Sequence, residues 1–461
     1  MIRLFRVFVP TSVVALLVSE TILLFASYIL CTYWILTIDP QVFLLYDNGL
    51  IRIAINVTVI ILALYYTDLY TDFRAPFGTL VQQLCLVMGV AFITQALISY
   101  ANNQWILPRW IMVEGSVTAL VALTGWRLLY SSTVLRFGSQ RILFLGAAPL
   151  VVDIAKQLNA HPELGFVAIG YIAETEGVTE DLDCLKCLGT IADLKDVVTV
   201  VKPDRIVVGM NERRHRMPVY DLLDLRFAGI ITEEAAHTYE FTFGRVCARE
   251  IRPSHLIFST ELGPRPNNVN VQTVYSWLIA FVAVVILLPI MALVALAVKL
   301  TSSGPILFRQ ERVGLRGSVY TVYKFRSMYK DAEARTGAVW AKRDDPRITP
   351  VGRVIRKIRL DELPQLFNVL QGTMSIVGPR PERPEFVQTL NEKIPYYRQR
   401  HSVKPGITGW AQIRYKYGES IEDTMMKLEY DLYYIKNLSP SLDFLIMFQT
   451  IKTMLFSQYG Q

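Results

Sequence analysis

Four apolar stretches, residues 11–38, 50–70, 80–100 and 110–130, dominate the first third of the chain. Each reaches the roughly 20 residues that carry a helix across a hydrocarbon core about 30 Å thick. Trp34, Tyr100, Trp110 and Trp126 gather near their ends, where amphipathic rings sit at headgroup level. Past residue 140 the pattern changes. Short apolar runs at 141–146, 166–172, 205–209 and 229–232 alternate with amphipathic stretches such as 151–158, which predicts a parallel, doubly wound α/β unit. A further apolar run, 274–298, is closed by Lys299 and interrupted by Pro289, where a proline removes a backbone hydrogen bond and kinks a helix. The chain thus divides into an N-terminal four-helix transmembrane bundle (1–135), a middle Rossmann-like α/β domain (136–262), a linker (263–272) and a C-terminal α/β domain (273–461) opening on a membrane helix (273–299).

Composition agrees. Hydrophobic residues make up 52% and charged residues 19%, with a mean hydropathy of +0.32, which excludes a disordered chain and an ordinary soluble globule. The first run follows Arg3 and Arg6 but is too long for a signal peptide's apolar core, so it reads as an uncleaved anchor. Arg3 and Arg6 before it, and Arg127, Arg136 and Arg141 after the fourth run, place both flanks in the cytoplasm, against outer loops with Asp39, Asp47 and only Arg52 and Arg109. The last 161 residues hold 25 Lys+Arg against 16 Asp+Glu. A full crossing by 274–298 would export that basic segment; a kinked helix that enters and leaves by one face avoids the conflict. No nucleic-acid partner is expected. Glu20, inside the first run, is either a functional intramembrane carboxylate or a residue facing its neighbours, and receives no role.

The middle segment offers little chemistry. Its first strand–helix turn, Gly146 to Leu150, has only the first glycine of a dinucleotide fingerprint, so it reads as a structural turn, with a regulatory nucleotide left open. Cys184 and Cys187 form a C-x-x-C without a second ligand pair. Five cysteines are too few for a disulfide scaffold, and the five histidines show no metal-binding spacing.

The last third is different. Asp361-Glu362 is an adjacent carboxylate pair shortly before Pro364, a placement in a helix's first turn where orphan amides would hold a carboxylate ionised. Arg353, Arg356, Lys357 and Arg359 add a positive field that attracts polyphosphate. One carboxylate could attack phosphorus while the other holds a divalent cation; the bland alternative is a helix cap with a basic helix lying on anionic lipid. Gly378-Pro379-Arg380-Pro381 and Lys404-Pro405-Gly406 are rigid, cation-bearing loops suited to phosphate.

From residue 272 onward the chain closely resembles the bacterial sugar transferase family, the monotopic phosphoglycosyl transferases acting on polyprenyl phosphate. The resemblance rests on LFRQERVG, YKFRSM, LDELPQLFNVL, SIVGPRPE, KPGITGWAQ and EYDLYY, in that order. With four spans and a degenerate α/β segment in front, it looks like the large hexose-1-phosphate transferases of exopolysaccharide assembly. The resemblance implies Asp361 as nucleophile toward a UDP-sugar and Glu362 as the Mg²⁺ ligand. It implies Lys324, Arg356, Arg380, Pro381, Lys404 and Asp431 as substrate-site residues, and undecaprenyl phosphate as acceptor. It further implies a helix made re-entrant at Pro289, a homodimer, and a catalytic domain on the cytoplasmic face of the bacterial inner membrane among its lipids. Leu288 stands where family members often have a small residue. The piece 442–456 reads either as an amphipathic surface helix or as core packing. Two rivals are an inactive membrane scaffold, opposed by the intact carboxylate pair, and a nucleotide-sugar-modifying middle domain, opposed by the missing glycines. Which sugar is transferred is not written in the pattern.

Overall fold

Prolines open three of the four N-terminal apolar helices. In the computed structural model, α1 (Thr11–Ile35), α2 (Gly49–Tyr66), α3 (Phe77–Ala101) and α4 (Arg109–Leu129) follow one another, with Pro10, Pro76 and Pro108 as the residues preceding α1, α3 and α4. The fixed φ and missing N–H of proline suit a helix entry. The structure describes all residues except 1, 37–38, 71–75, 135–138, 175–180, 183, 211–215, 249–262, 330–344, 346, 416–417, 419 and 457–461. All four helices are long and apolar enough to cross a membrane, as is a fifth, Pro266–Thr301.

The described chain forms two compact units, dividing between Thr238 and Tyr239, with Leu4–Val7 counted in the second. In the first unit, α1 packs on α4 through Tyr28, whose hydroxyl lies 2.8 Å from Ser116 Oγ. Trp126 Nε1 donates to Ser19 Oγ at 2.9 Å. Glu20 is fully buried and faces its neighbours: Arg127 Nε lies 2.6 Å from one carboxylate oxygen, and Tyr70 donates to the other at 2.7 Å. Arg127 is therefore a buried partner of Glu20, which corrects its reading as a flanking cation that orients the fourth span. Arg136, read the same way, lies outside the described residues, and Arg141 is exposed.

The first unit also holds a wholly parallel sheet: β1 (Gln140–Leu145), β2 (Phe166–Ala173), β3 (Cys187–Thr190), β4 (Arg205–Val208) and β5 (Ile231–Glu234), in the order β3-β2-β1-β4-β5. Ile142 to Leu145 are fully buried at its centre, as a continuous apolar run in a two-sided sheet requires. Gly146 has φ +95°, and a Cβ there would fall 2.6 Å from the Gly209 carbonyl. That glycine is needed for the close approach of two strand ends, the structural reading of the turn. Strand β3, which starts at Cys187, was not expected; all described cysteines are free.

The second unit begins at Tyr239, earlier than the boundary expected at 262, most of whose approach (249–262) lies outside the described residues. Glu429 draws this segment in by accepting from Tyr239 Oη and the Ala248 amide, each at 3.0 Å. The expected linker 263–272 is mostly helix: Pro266 takes the first helical position, and one helix runs from there to Thr301 with Pro289 inside it. An antiparallel hairpin follows, β6 (Leu307–Val313) with β7 (Val319–Phe325). Next come a short helix, Pro350–Lys357, and a parallel pair, β8 (Ser375–Val377) with β9 (Gly406–Thr408). Two helices, Ile421–Asn437 and Pro440–Phe456, close the chain. In the last, Leu442 and Ile446 are fully buried while Phe444, Ile451 and Met454 are exposed, so core packing and an apolar outer face coexist.

Candidate active site

Thr349 caps the helix Pro350–Lys357 by accepting from the Gly352 amide at 2.9 Å. The chain then reverses through Arg359, whose φ of +56° lies in the left-handed region, a costly conformation for a side-chain-bearing residue. The next three residues, Leu360–Glu362, form a single 3-10 turn, and Pro364 precedes the helix Gln365–Leu370. Asp361 and Glu362 thus sit in a turn of their own, a correction to their expected place in a helix's first turn.

The two carboxylates differ in environment. Glu362 Oε1 accepts from Lys324 Nζ at 2.8 Å and lies 3.2 Å from Arg380 Nη2, while Arg359 stands 3.9 Å from Oε2. Burial alone would raise this carboxyl, but Lys324 and Arg380 together hold it well below the usual carboxylate range. Asp361 is 9% exposed; burial, then the charge of Glu362, pushes it up to about 6, against the pull of Lys324, Arg356 and Arg380. The amide-stabilised Asp361 expected from the helix argument is therefore replaced by a carboxyl that burial makes hold its proton more tightly than an ordinary aspartate, while leaving it mostly ionised at neutral pH. One acid is pinned and charged; its neighbour is strained toward the proton.

Each cation has its own support. Lys324 lies on β7, paired across the hairpin with Phe308. Arg380 follows β8 in a loop held by its backbone. Arg400 Nη2 donates to the Arg380 carbonyl at 3.0 Å, Arg312 Nη1 to the Pro381 carbonyl at 3.0 Å, and the Gly406 amide to the Pro379 carbonyl at 3.0 Å. A Cβ on Gly378 would lie 2.8 Å from the Gly406 nitrogen, so the two loop motifs abut backbone to backbone. Gly378→Ala is expected to cost about 1–3 kcal/mol by overpacking and to lower the unfolding midpoint of the purified protein; an unchanged midpoint would mean the two loops part without penalty.

Asp431 does not join the pair. It is buried and binds Arg400, with Oδ2 3.0 Å from Nε and 2.8 Å from Nη2. Burial raises it to about 6 against the pull of that guanidinium. Its contribution reaches the site through the carbonyl of Arg380. Lys404 is half-buried, its ammonium lowered by burial, and it makes no ion pair among the described residues. Arg312 and Arg400 were not singled out in the sequence; the one available signal was their position inside the RQERVG motif and just before the KPG turn.

No group of three or more His, Cys, Asp or Glu side chains gathers as a metal cage among the described residues. Glu362, the expected ligand, has Oε1 held by Lys324 and Arg380, which leaves Oε2 as a hard oxygen donor of the kind a Mg²⁺ ion takes when its remaining ligands are substrate phosphates and water.

A buried acidic pair stands among cations in the unit that carries the long apolar helix, an arrangement suited to a phosphate-bearing ligand. The chain belongs to the bacterial sugar transferase family: that family matches residues 267–457, and a family described as a CoA-binding domain matches residues 65–217. Among its relatives, the UDP-glucose:undecaprenyl-phosphate glucose-1-phosphate transferase of Escherichia coli is 31% identical over 410 residues, covering 84% of this chain and 84% of that one. The UDP-N-acetylgalactosamine-undecaprenyl-phosphate N-acetylgalactosaminephosphotransferase of Aeromonas hydrophila is 50% identical over 178 residues, 39% of this chain and 42% of its own length. The undecaprenyl-phosphate glucose phosphotransferase of Komagataeibacter xylinus is 49% identical over 177 residues, 37% and 33% respectively. The chain thus spans less than half the length of the last two relatives.

Proposed function

We propose that the protein transfers a sugar-1-phosphate from a UDP-sugar to undecaprenyl phosphate, releasing UMP. The observation that carries this reading is Asp361, buried and raised to about 6 beside a Glu362 already neutralised by Lys324 and Arg380. A carboxylate with that affinity for a proton is more nucleophilic than an ordinary aspartate yet still ionised at neutral pH. Its oxygen attacks the sugar-bearing phosphorus, the bond from that phosphorus to UMP breaks, and Asp361 carries the phosphosugar. Lys324, Arg356 and Arg380 orient the diphosphate and stabilise the departing UMP charge. An oxygen of undecaprenyl phosphate then attacks the same phosphorus, and the Asp361 carboxylate leaves. When bound through Glu362 and substrate phosphates, Mg²⁺ would supply further charge neutralisation.

The apolar helix supports a location at the inner face of the bacterial inner membrane. Gln272, Ser276 and Ala280, then Met291, Val294 and Val298, are buried along one stripe within the unit that carries the carboxylates, while Ile286, Leu293 and Leu300 are exposed. A helix buried in two groups, 272–280 and 291–298, on either side of Pro289, suits a re-entrant or interfacial position better than a crossing. The sugar stays open, since the relatives are named for both glucose and N-acetylgalactosamine.

The test is exchange of labelled UMP into UDP-sugar without any lipid acceptor. Exchange supports the covalent route; a strict requirement for undecaprenyl phosphate removes it. The pH profile follows from the sign of the shift. Asp361 must be deprotonated to attack, so the exchange rate is expected to level off above pH 6 and to fall about tenfold per unit below it. A profile flat down to about pH 4, where an unperturbed aspartate titrates, would contradict the raised nucleophile.

A further inference from the structure

Arg326 is 6% exposed, and its side chain closes the C-terminal end of the long apolar helix. Nη2 donates to the Ser302 carbonyl at 2.8 Å and to Ser302 Oγ at 2.7 Å. Nε and Nη1, equally buried, have no hydrogen-bond partner among the described residues. A buried guanidinium with two nitrogens unsatisfied is costly, and such groups call for a specific acceptor.

Arg326 also lines an open cleft of about 620 Å³ with Lys299, Ile306, Leu307, Phe308 and Arg309, its Nε and Nη1 themselves being buried. Lys299, Arg309 and Arg326 make no ion pair among the described residues. Three unpaired cations around one hollow create a field for an anion of more than one charge. The lining is partly apolar, through Ile306, Leu307 and Phe308, and Leu296 and Leu300, on the same helix as Lys299, are exposed. Arg326 follows Lys324 by two residues, about 7 Å along an extended chain, and Lys324 holds the catalytic Glu362.

We propose that this cleft binds a phosphate group through Arg326, Lys299 and Arg309, placed so that a phosphate carried on an apolar chain reaches it from the bilayer. Resting on the transferase reading, it assigns the cleft as the docking point of the acceptor's phosphate before that phosphate meets Asp361. Lys299 and Arg309 provide charge at the mouth, and Arg326 adds its charge from the wall behind them. The partly apolar lining favours a lipid-borne phosphate, and a free phosphate shares the same chemistry.

The experiment is equilibrium binding to the full chain in nanodiscs, with labelled undecaprenyl phosphate as one probe and inorganic phosphate as the other. Lys299→Gln with Arg309→Gln removes two surface charges without touching the helix cap. Arg326→Lys keeps the charge and loses the unpaired nitrogens. Each change is expected to weaken binding about tenfold or more, as loss of charge-assisted hydrogen bonds does. Weakening seen with undecaprenyl phosphate and not displaced by millimolar inorganic phosphate assigns a lipid-borne ligand; displacement by inorganic phosphate assigns a free one. Unchanged binding of both probes by the Lys299/Arg309 double variant overturns the site, even if Arg326→Lys fails to fold. UMP exchange and product formation by the unaltered protein separate the two conclusions. Absence of exchange removes the covalent route and absence of any lipid-linked sugar removes the transferase reading, whereas product formation with unaffected phosphate binding removes only the cleft.

Discussion

Asp361→Asn is expected to reduce both UMP exchange and formation of the lipid-linked sugar by about four orders of magnitude or more, the scale on which removing a nucleophile acts. The amide fills the same space and leaves Glu362, Lys324 and Arg380 in their contacts. UDP-sugar binding should therefore stay within a few-fold of the unaltered protein while turnover vanishes, a split between affinity and rate that marks a group acting in the chemical step. Titration calorimetry with UDP-sugar reads the first quantity, and labelled-UMP exchange the second. Retained exchange would exclude Asp361 as the group that carries the phosphosugar. A loss of binding equal to the loss of rate would make it a contact for the donor instead.

Asp431→Ala carries the second large effect, and it acts through Arg400. That guanidinium is buried, gives two contacts to Asp431 at 2.8 and 3.0 Å, and donates to the Tyr397 hydroxyl at 2.6 Å. Removing the carboxylate strands a charge in the interior, at a cost of about 3–5 kcal/mol. Replacing both members, Asp431→Leu with Arg400→Met, is expected to recover most of that stability, because burial of two charges is itself expensive. Activity should not return with it. Arg400 also fixes the Arg380 carbonyl at 3.0 Å, and a loop without that anchor presents Arg380 to the diphosphate from a wider range of positions. Recovery of stability and rate together would show that Arg400 has no part in placing Arg380.

Much of this arrangement was legible in the chain because its signals are local. An apolar run of 20 residues announces itself, and so does an adjacent pair of acids flanked by arginines. The four strands read from apolar runs reappear within a few residues of their observed bounds. What stayed hidden depends on partners far apart in sequence. Lys324 and Glu362 are 38 residues apart, and Arg400 and Asp431 are 31 apart. Gln272 reaches Asp443 across 171 residues at 2.6 Å. Arg127 shows how a local rule misleads. Beside an apolar helix end an arginine looks like an interfacial cation, yet the fold turns it inward onto Glu20. Strand β3 escaped because four residues, Cys187–Thr190, are too few to show alternation. The turn holding Asp361 and Glu362 was misplaced by one element, since Pro364 suits the start of a helix equally well from just outside it.

The helix Pro266–Thr301 belongs to the same compact unit as the acidic pair, and its outward face is a sheet of exposed leucine, isoleucine and valine. Deleting the first four helices would leave that greasy flank in place. A shortened protein starting near Tyr239 would still demand detergent or lipid, and its chemistry would stay tied to a surface instead of being released into free solution.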